Sequence, residues 1–402
     1  MELADVDALT SPAGTALLAE LAAAGEVDPL VLGQRLRAQG HDAALVAAAM
    51  TQARLRTRAR AKLGERAATM LFTAAGAEQA TRAAVAAGHA ERFAAAGVRR
   101  VADLGCGIGS DALALLERGL DVLAVDADPL TAAVAARNLA AAVAAGRAEV
   151  RCADVTGGVV DELGPGDGAW FDPARRTSSG RRVFDPEAVS PPLSFVLATA
   201  GRVPATGAKL APGLPHALVP AAAEAQWTSV DGDVVECALW TGPLARPGVH
   251  RSARLLRGER VLEMDDTAPS RADVGDVGAF LHEPDGAVIR AGLVGAVVEA
   301  LAGRLVDETI AYVTTDSPAT SPFARAFRVE EVMPFGLKAL RSHLRALDVG
   351  TLTVKKRGTA VDPDDLRRRL GLRGRRSATI VLTRLQGRQS VLLVSEVAAA
   401  PA

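Results

Sequence analysis

The sequence predicts an α/β protein: a mostly parallel sheet closed by an antiparallel hairpin, with a helical cap before it and a small α+β module after it. Three features carry that expectation. Residues 11–95 are rich in Ala, Leu and Arg at helical spacing, broken at Ser11-Pro12, residues 25–29 and Gly40-His41-Asp42, where helix stop and start signals cluster. At Arg100 the period changes. Short apolar runs at 101–104, 122–125, 148–152 and 169–171 alternate with helical stretches such as 111–118 and 129–145, the pattern of parallel strands joined by right-handed crossovers. Residues 226–230 and 234–240 then flank Asp231-Gly232-Asp233, whose turn chemistry favours a hairpin.

Beyond Pro247 the pattern is less regular, with strands expected at 251–256 and 312–315 and a helix at 293–301. The end of the chain is clearer. Residues 351–356 read as a strand, 363–370 as a helix, and 378–384 and 390–394 as strands joined near Gln386-Gly387. The expected organisation is a helical region at 1–96, the α/β domain at 97–247, a linking or substrate region of unassigned fold at 248–346, and the α+β module at 347–402.

Lys and Arg number 46 against 47 acids, so no molecule-wide field draws the chain onto nucleic acid or an anionic membrane. Any basic surface is local, and residues 349–402 supply one: eleven bases against four acids, a net +7. Cys106, Cys152 and Cys237 are widely spaced and lack a Cys-x-x-Cys or a nearby His, which favours a reducing compartment over disulfides or a metal site. The N-terminus lacks the basic flank and apolar core of a signal peptide, and no run approaches about 18 apolar residues, so a cytoplasmic protein is expected.

The densest chemistry lies in Asp103-Leu104-Gly105-Cys106-Gly107-Ile108-Gly109-Ser110-Asp111, which follows a strand and opens a helix. Unpaired N–H groups at such a helix start receive a carboxylate, and glycines let the backbone reach a ligand. The dinucleotide fingerprint places its third glycine three residues after the second; here Gly109 comes two after Gly107. Asp103 suits the ammonium of a methionine moiety and would repel a pyrophosphate, so the turn reads as an S-adenosylmethionine site rather than a nicotinamide one. Asp126, at the end of the next strand, is placed to accept from ribose hydroxyls, and Asp154 lies where an adenine amino group would fall. Both acids also fit the plainer role of capping a turn.

The fourth strand delivers Asp172-Pro173-Ala174-Arg175-Arg176 to the carboxyl edge of the sheet, where open α/β folds bind ligands. Enzymes that methylate amino groups carry Asp/Asn-Pro-Pro-aromatic there, accepting the target N–H bonds and aiming the nitrogen lone pair. Asp172 and Pro173 are the catalytic candidates on that basis. Arg175 and Arg176 are candidates for a phosphate or carboxylate of the substrate. No aromatic residue follows Pro173. None of the cysteines is placed as a nucleophile, and buried packing is expected for each; Trp227 and Trp240 read as core.

These segments together resemble a family of bacterial class I methyltransferases with a THUMP-like C-terminal domain. The likeness is carried by Phe72-Thr73, Glu78-Gln79-Ala80-Thr81, Asp103 to Gly109, Asp172-Pro173-Ala174-Arg175-Arg176, Pro191-Pro192-Leu193, Lys209-Leu210-Ala211-Pro212-Gly213 and Lys355-Lys356-Arg357-Gly358. It implies a Rossmann-like sheet holding S-adenosylmethionine, with Gln79 and Thr81 at the cofactor or substrate mouth. By analogy it also implies RNA binding by the terminal module, with Lys355, Lys356 and Arg357 toward the substrate. Methylation of a nitrogen in tRNA or rRNA is the expected activity. A small-molecule N-methyltransferase, and an RNA-binding protein that keeps a cofactor pocket without catalysis, are the alternatives.

Overall fold

A computed structural model describes residues 1–23, 29–174 and 185–397, and the chain divides into two compact units: residues 1–224 with 237–247, and residues 225–236 with 248–402. The first unit opens with six helices, α1 (Leu3–Thr10), α2 (Pro12–Ala23), α3 (Pro29–Ala38), α4 (Ala43–Leu63), α5 (Ala74–Gln79) and α6 (Ala83–Ala95). The helical cap is thus borne out, and the breaks at Ser11-Pro12 and Gly40-His41-Asp42 fall where the turn signals lie, while the signal at 25–29 lies almost wholly outside the described residues. Ser11 separates α1 from α2, and Asp42 caps α4 through the N–H groups of Ala44 and Leu45.

The strands of this unit are β1 (Arg100–Leu104), β2 (Asp121–Asp126), β3 (Ala148–Cys152), β4 (Asp167–Phe171) and β5 (Ala205–Leu210). They pair in parallel in the order β3-β2-β1-β4-β5. Crossovers run through α7 (Ser110–Glu117), α8 (Pro129–Asn138), α9 (Ala140–Ala144) and α10 (Leu193–Ala200). The helix expected over 129–145 is broken at Leu139, which is buried in the core with φ −97° and ψ 6°. β5 was not expected as a strand; all six of its positions are buried, so it lacks the alternation of a half-exposed strand.

The hairpin strands β6 (Glu224–Val230) and β7 (Asp233–Trp240) are joined through Asp231 at φ 51° and Gly232 at φ 94°, the two left-handed positions a type I′ turn requires. Residues 237–240 of β7 pair antiparallel with β5, the hairpin arrangement that the sequence predicts for the end of the sheet. Trp227 and Trp240 are fully buried, as expected. Cys106 and Cys237 are buried, but Cys152 is exposed, because β3 is an edge strand with no buried position.

In the second unit β6 pairs in parallel with β8 (Arg251–Arg257), which pairs antiparallel with β9 (Arg260–Asp265). Residues 248–346, for which the sequence suggests strands at 251–256 and 312–315 and a helix at 293–301 but no overall fold, also supply β10 (Phe280–Pro284), α11 (Gly286–Ala291), α12 (Val294–Ala300), β11 (Arg304–Asp307), β12 (Ile310–Thr315), β13 (Ala324–Pro334) and α13 (Leu337–Ala346). They share a seven-stranded sheet, β11-β12-β10-β13-β16-β15-β14, with β14 (Val349–Lys356), β15 (Arg376–Leu385) and β16 (Arg388–Glu396). α14 (Pro363–Leu370) connects the parallel pair β14 and β15, and Leu366 and Leu370 bury its apolar side against the sheet. The terminal α+β module is therefore present. No helix of the described residues is long and apolar enough to cross a membrane.

One buried ion cluster anchors the first unit. The Glu224 carboxylate has no exposed side-chain surface and accepts from Arg92 through both Nη atoms at 3.0 Å, and from the Arg246 backbone N–H at 3.0 Å and Nη2 at 2.8 Å. Burial pushes the Glu224 carboxyl up, but the Arg246 hydrogen bonds and the Arg92 charge outweigh it and hold it below the usual range. A carboxyl depressed in the folded state stabilises above its unfolded pKa and loses that contribution as the pH falls. Glu224→Gln should therefore cost about 3–5 kcal/mol at neutral pH by urea unfolding. The difference from wild type should shrink as the pH falls below the ordinary carboxyl value of 4.5.

Candidate functional site

The carboxyl ends of β1, β4 and β5 lie side by side, and each ends near a charged residue. β1 contributes Asp103, the residue after β4 is Asp172, and β5 contributes Lys209. In the glycine turn, Gly105, Gly107 and Gly109 have φ of 90°, 55° and 87°, left-handed values that disfavour any side chain. At Gly105 the constraint is also steric: a Cβ would stand 2.6 Å from the Asp172 carbonyl oxygen. The turn is therefore glycine-rich partly so that β1 and the segment after β4 can touch.

Asp103 is 1% exposed, and neither carboxylate oxygen has a hydrogen-bond partner of good geometry among the described residues. Burial pushes its carboxyl well above the ordinary range, and the carboxylates of Asp111 and Asp172 push in the same direction; the Ala112 N–H and the Lys209 charge offset only part of this. Asp111, in the first turn of α7, is differently served. His89 Nδ1 lies 2.7 Å from its Oδ1, and Thr81 also bonds to it; together with Lys209 these hold Asp111 below the usual range despite burial. The His89 ring lies tilted against Trp170 at 4.2 Å, and Trp170 stacks on Trp240 at 5.2 Å, so the histidine is packed in place. Lys209, 5% exposed, donates from Nζ to Asp172 Oδ2 at 2.7 Å and to Thr81 Oγ1 at 2.9 Å.

The helical cap is tied to this edge. Ser110 Oγ donates to the Thr81 carbonyl at 2.8 Å, and Asn138 Nδ2 to the carbonyls of Ile108 at 2.9 Å and Leu71 at 3.0 Å. Gln52 exchanges two hydrogen bonds with the Phe72 backbone. The Phe72-Thr73 and Glu78-to-Thr81 segments thus hold the cap against the glycine turn. Thr81 is buried inside the charge cluster, whereas Gln79 is exposed at the end of α5.

Asp126 is half-buried and accepts from the N–H groups of Gly107 and Asp128, both at 3.0 Å; burial pushes its carboxyl up. Asp128 caps α8 through Thr131. Asp154 is exposed and accepts from the Thr156 N–H at 2.8 Å and hydroxyl at 2.7 Å, which hold its carboxyl low. That is the turn-capping role. Pro173 is buried, while Arg175 and Arg176 lie outside the described residues.

In the second unit, Lys355 Nζ donates to Glu283 Oε2 at 2.6 Å and sits 5.2 Å above the Phe327 ring. Arg357 lies 5.6 Å from the Tyr312 ring centroid. Lys356 is exposed and donates to the Val361 carbonyl at 3.0 Å. All three bases expected to face substrate therefore hold internal partners, Lys356 at an exposed position.

Sequence reading assigned no role to Lys209, His89 or Asp111. Lys209 carried one signal, a lone charge inside an apolar run. The other two carried none, because their partner relation spans 22 residues and becomes visible only when α6 packs on α7.

Residues 324–396 match the THUMP domain-like family, and residues 2–59 match a domain family of unknown function. Two relatives from strains of Mycobacterium tuberculosis, named as uncharacterized S-adenosylmethionine-dependent methyltransferases, are each 37% identical over 340 residues, covering 82% of this chain and 90% of theirs. A crystal structure described as that of a methyltransferase from Porphyromonas gingivalis W83 superposes with a TM-score of 0.71 at 21% identity, covering 89% of this chain and 92% of that one. The fold is that of a class I methyltransferase. The chain belongs to the S-adenosylmethionine-dependent methyltransferase family shared with the mycobacterial proteins.

The raised carboxyl of Asp103 has a consequence for stability. A carboxyl with an elevated folded-state pKa destabilises the fold as the pH rises through that value and is harmless below the unfolded value of 3.8. Asp103→Asn should therefore leave the apoprotein unchanged in acid and raise its Tm progressively with pH, by about 2–4 °C for each kcal/mol relieved. Thermal unfolding from pH 4 to 9 measures this.

Proposed function

We propose that the chain transfers the methyl group of S-adenosylmethionine to a nitrogen of an RNA base, on tRNA or rRNA. The observation that carries the chemistry is the acceptor Asp172, held by Lys209 at 2.7 Å, beside the buried carboxyl of Asp103, whose oxygens have no hydrogen-bond partner among the described residues. The residues fit the cofactor. Asp103 takes its ammonium, the N–H groups of the glycine turn its carboxylate, and Asp126 its ribose hydroxyls. Asp154 contacts its adenine through whatever acceptor capacity Thr156 leaves. Gln79, at the exposed end of α5, lines the mouth, and Thr81 supports it from beneath. When bound, the cofactor supplies an electrophilic methyl group on a sulfonium.

Transfer then depends on alignment. Asp172 accepts an N–H of the target nitrogen and the Pro173 segment fixes the approach, so the lone pair faces the methyl group; the proton leaves to the carboxylate or to water. Arg175 and Arg176 hold an anionic part of the substrate. The RNA class is supported by the THUMP domain-like match and by the net +7 of residues 349–402. The free thiols of Cys106, Cys152 and Cys237 fit a cytoplasmic setting.

Incubation with tritiated S-adenosylmethionine and total RNA from a deletion strain should label a single nucleotide, and Asp172→Ala should reduce labelling by about 100-fold or more. RNA affinity should fall steeply between low and moderate salt, and further on neutralising Arg367, Arg368 and Arg369. Label recovered only in small molecules would instead favour a metabolite as acceptor.

A further inference from the structure

The buried edge of the first unit holds an unbalanced set of charges. Asp103, Asp111 and Asp172 come from three different elements, and His89 and Lys209 are the bases bonded to them. His89 serves Asp111, Lys209 serves Asp172, and Asp103 is left for the ligand ammonium. His89 is wedged between Asp111 and the Trp170 ring, and Lys209 is seated between Thr81 and Asp172 at 2.9 and 2.7 Å. The Lys209 ammonium is thus a fixed part of the sheet rather than a mobile surface charge.

We propose that Lys209 is a positioning residue for methyl transfer: it keeps Asp172 ionised and oriented as the acceptor toward substrate, and so reserves Asp103 for the cofactor. The need for such a cation follows from the neighbours. Asp103 feels the carboxylates of both Asp111 and Asp172, and Asp126 also feels the charge of Asp172. Like charges that close do not all remain ionised without compensation. Lys62, half-buried near Lys209, cannot take the role, because its ammonium is spent on the carbonyls of Glu78 and Ala77. Thr81 completes the seat: its hydroxyl oxygen accepts from Lys209, its carbonyl accepts from Ser110, and it also bonds to Asp111. The Glu78-to-Thr81 segment therefore shapes the acceptor through Lys209, without itself touching substrate.

The proposal rests on the methyltransferase reading of this edge but not on RNA as the acceptor, and its test separates the two. Thermal unfolding of the full-length apoprotein is followed from pH 5 to 9 for wild type, Lys209→Met, Asp172→Asn and the double variant. Lys209→Met removes the cation bonded to Asp172, so its Tm deficit should be larger at pH 8 than at pH 5 and should largely vanish in the Asp172→Asn background. A deficit that is independent of pH, or that persists in the double variant relative to Asp172→Asn alone, would overturn the charge pairing; a packing role alone predicts that result.

The second arm uses the acceptor labelled in the tritium experiment. Lys209→Met should keep its affinity for S-adenosylhomocysteine within about threefold while kcat falls about 100-fold at neutral pH and partly recovers at alkaline pH; Lys209→Arg should retain part of kcat. An equal loss at every pH, or a loss that tracks cofactor affinity, would contradict the positioning role. If no RNA is labelled, the RNA reading fails, while the unfolding arm still decides the Lys209 pairing.

Discussion

At the carboxyl edge of the first sheet, two buried carboxyls and the half-buried Asp172 lie against His89 and Lys209, and much of the surrounding structure answers to that crowding. Parallel strands make it possible. β1, β4 and β5 run the same way, so residues distant in the chain end at one edge. Closeness then imposes the glycines, since any side chain at Gly105 would meet the Asp172 carbonyl. An aromatic column lies beneath this edge: the His89 ring that reaches Asp111 packs against Trp170, which stacks on Trp240. The column ends at Arg92, 5.3 Å from the Trp240 ring centroid, and Arg92 in turn pairs with the buried Glu224. Taking charges out of water is costly unless each has a partner. Among these buried carboxylates, the one whose oxygens lack a partner is also the one that the sequence pattern assigns to a cationic ligand.

Local signals were legible and long-range pairings were not. The bounds of α14 agree with expectation because both ends carry their own markers, the Asp362 side chain at the start and left-handed Gly371 at φ 53° after the last turn. The hairpin turn was legible for the same reason. β5 was missed because its reading depends on neighbours: Ala-Thr-Gly-Ala-Lys-Leu is buried throughout, and its lysine argues for a surface until the carboxylate 37 residues earlier is seen beside it. β13 was missed because its exposed charges obscure the alternation of an 11-residue strand paired along β16. In the site itself, the glycine turn and the residue ending each strand were readable from spacing. Lys209, His89 and Asp111 acquire meaning only from contacts across elements, and a single sequence contains no record of those.

Charge counted along a chain is also not charge available to a partner. The terminal module carries a net +7, yet Lys355 is engaged by Glu283 and Phe327, and Arg357 lies against Tyr312. These contacts are partly buried, so giving them up for a phosphate would expose a carboxylate and aromatic surface. The arginines of α14 are different. Arg367 and Arg368 meet Asp364 and Asp365 one turn away, with side chains 42% and 71% exposed. Such surface pairs are worth only about 0.3–0.5 kcal/mol, and Arg375 is 93% exposed. A polyanion can therefore take these guanidinium groups from their present partners at little cost, but cannot take Lys355. If this unit meets RNA, the physics favours the helix and its following loop over the strand end that the sequence motif first suggests, and it leaves Lys355 and Arg357 the task of holding the strands of the second sheet together.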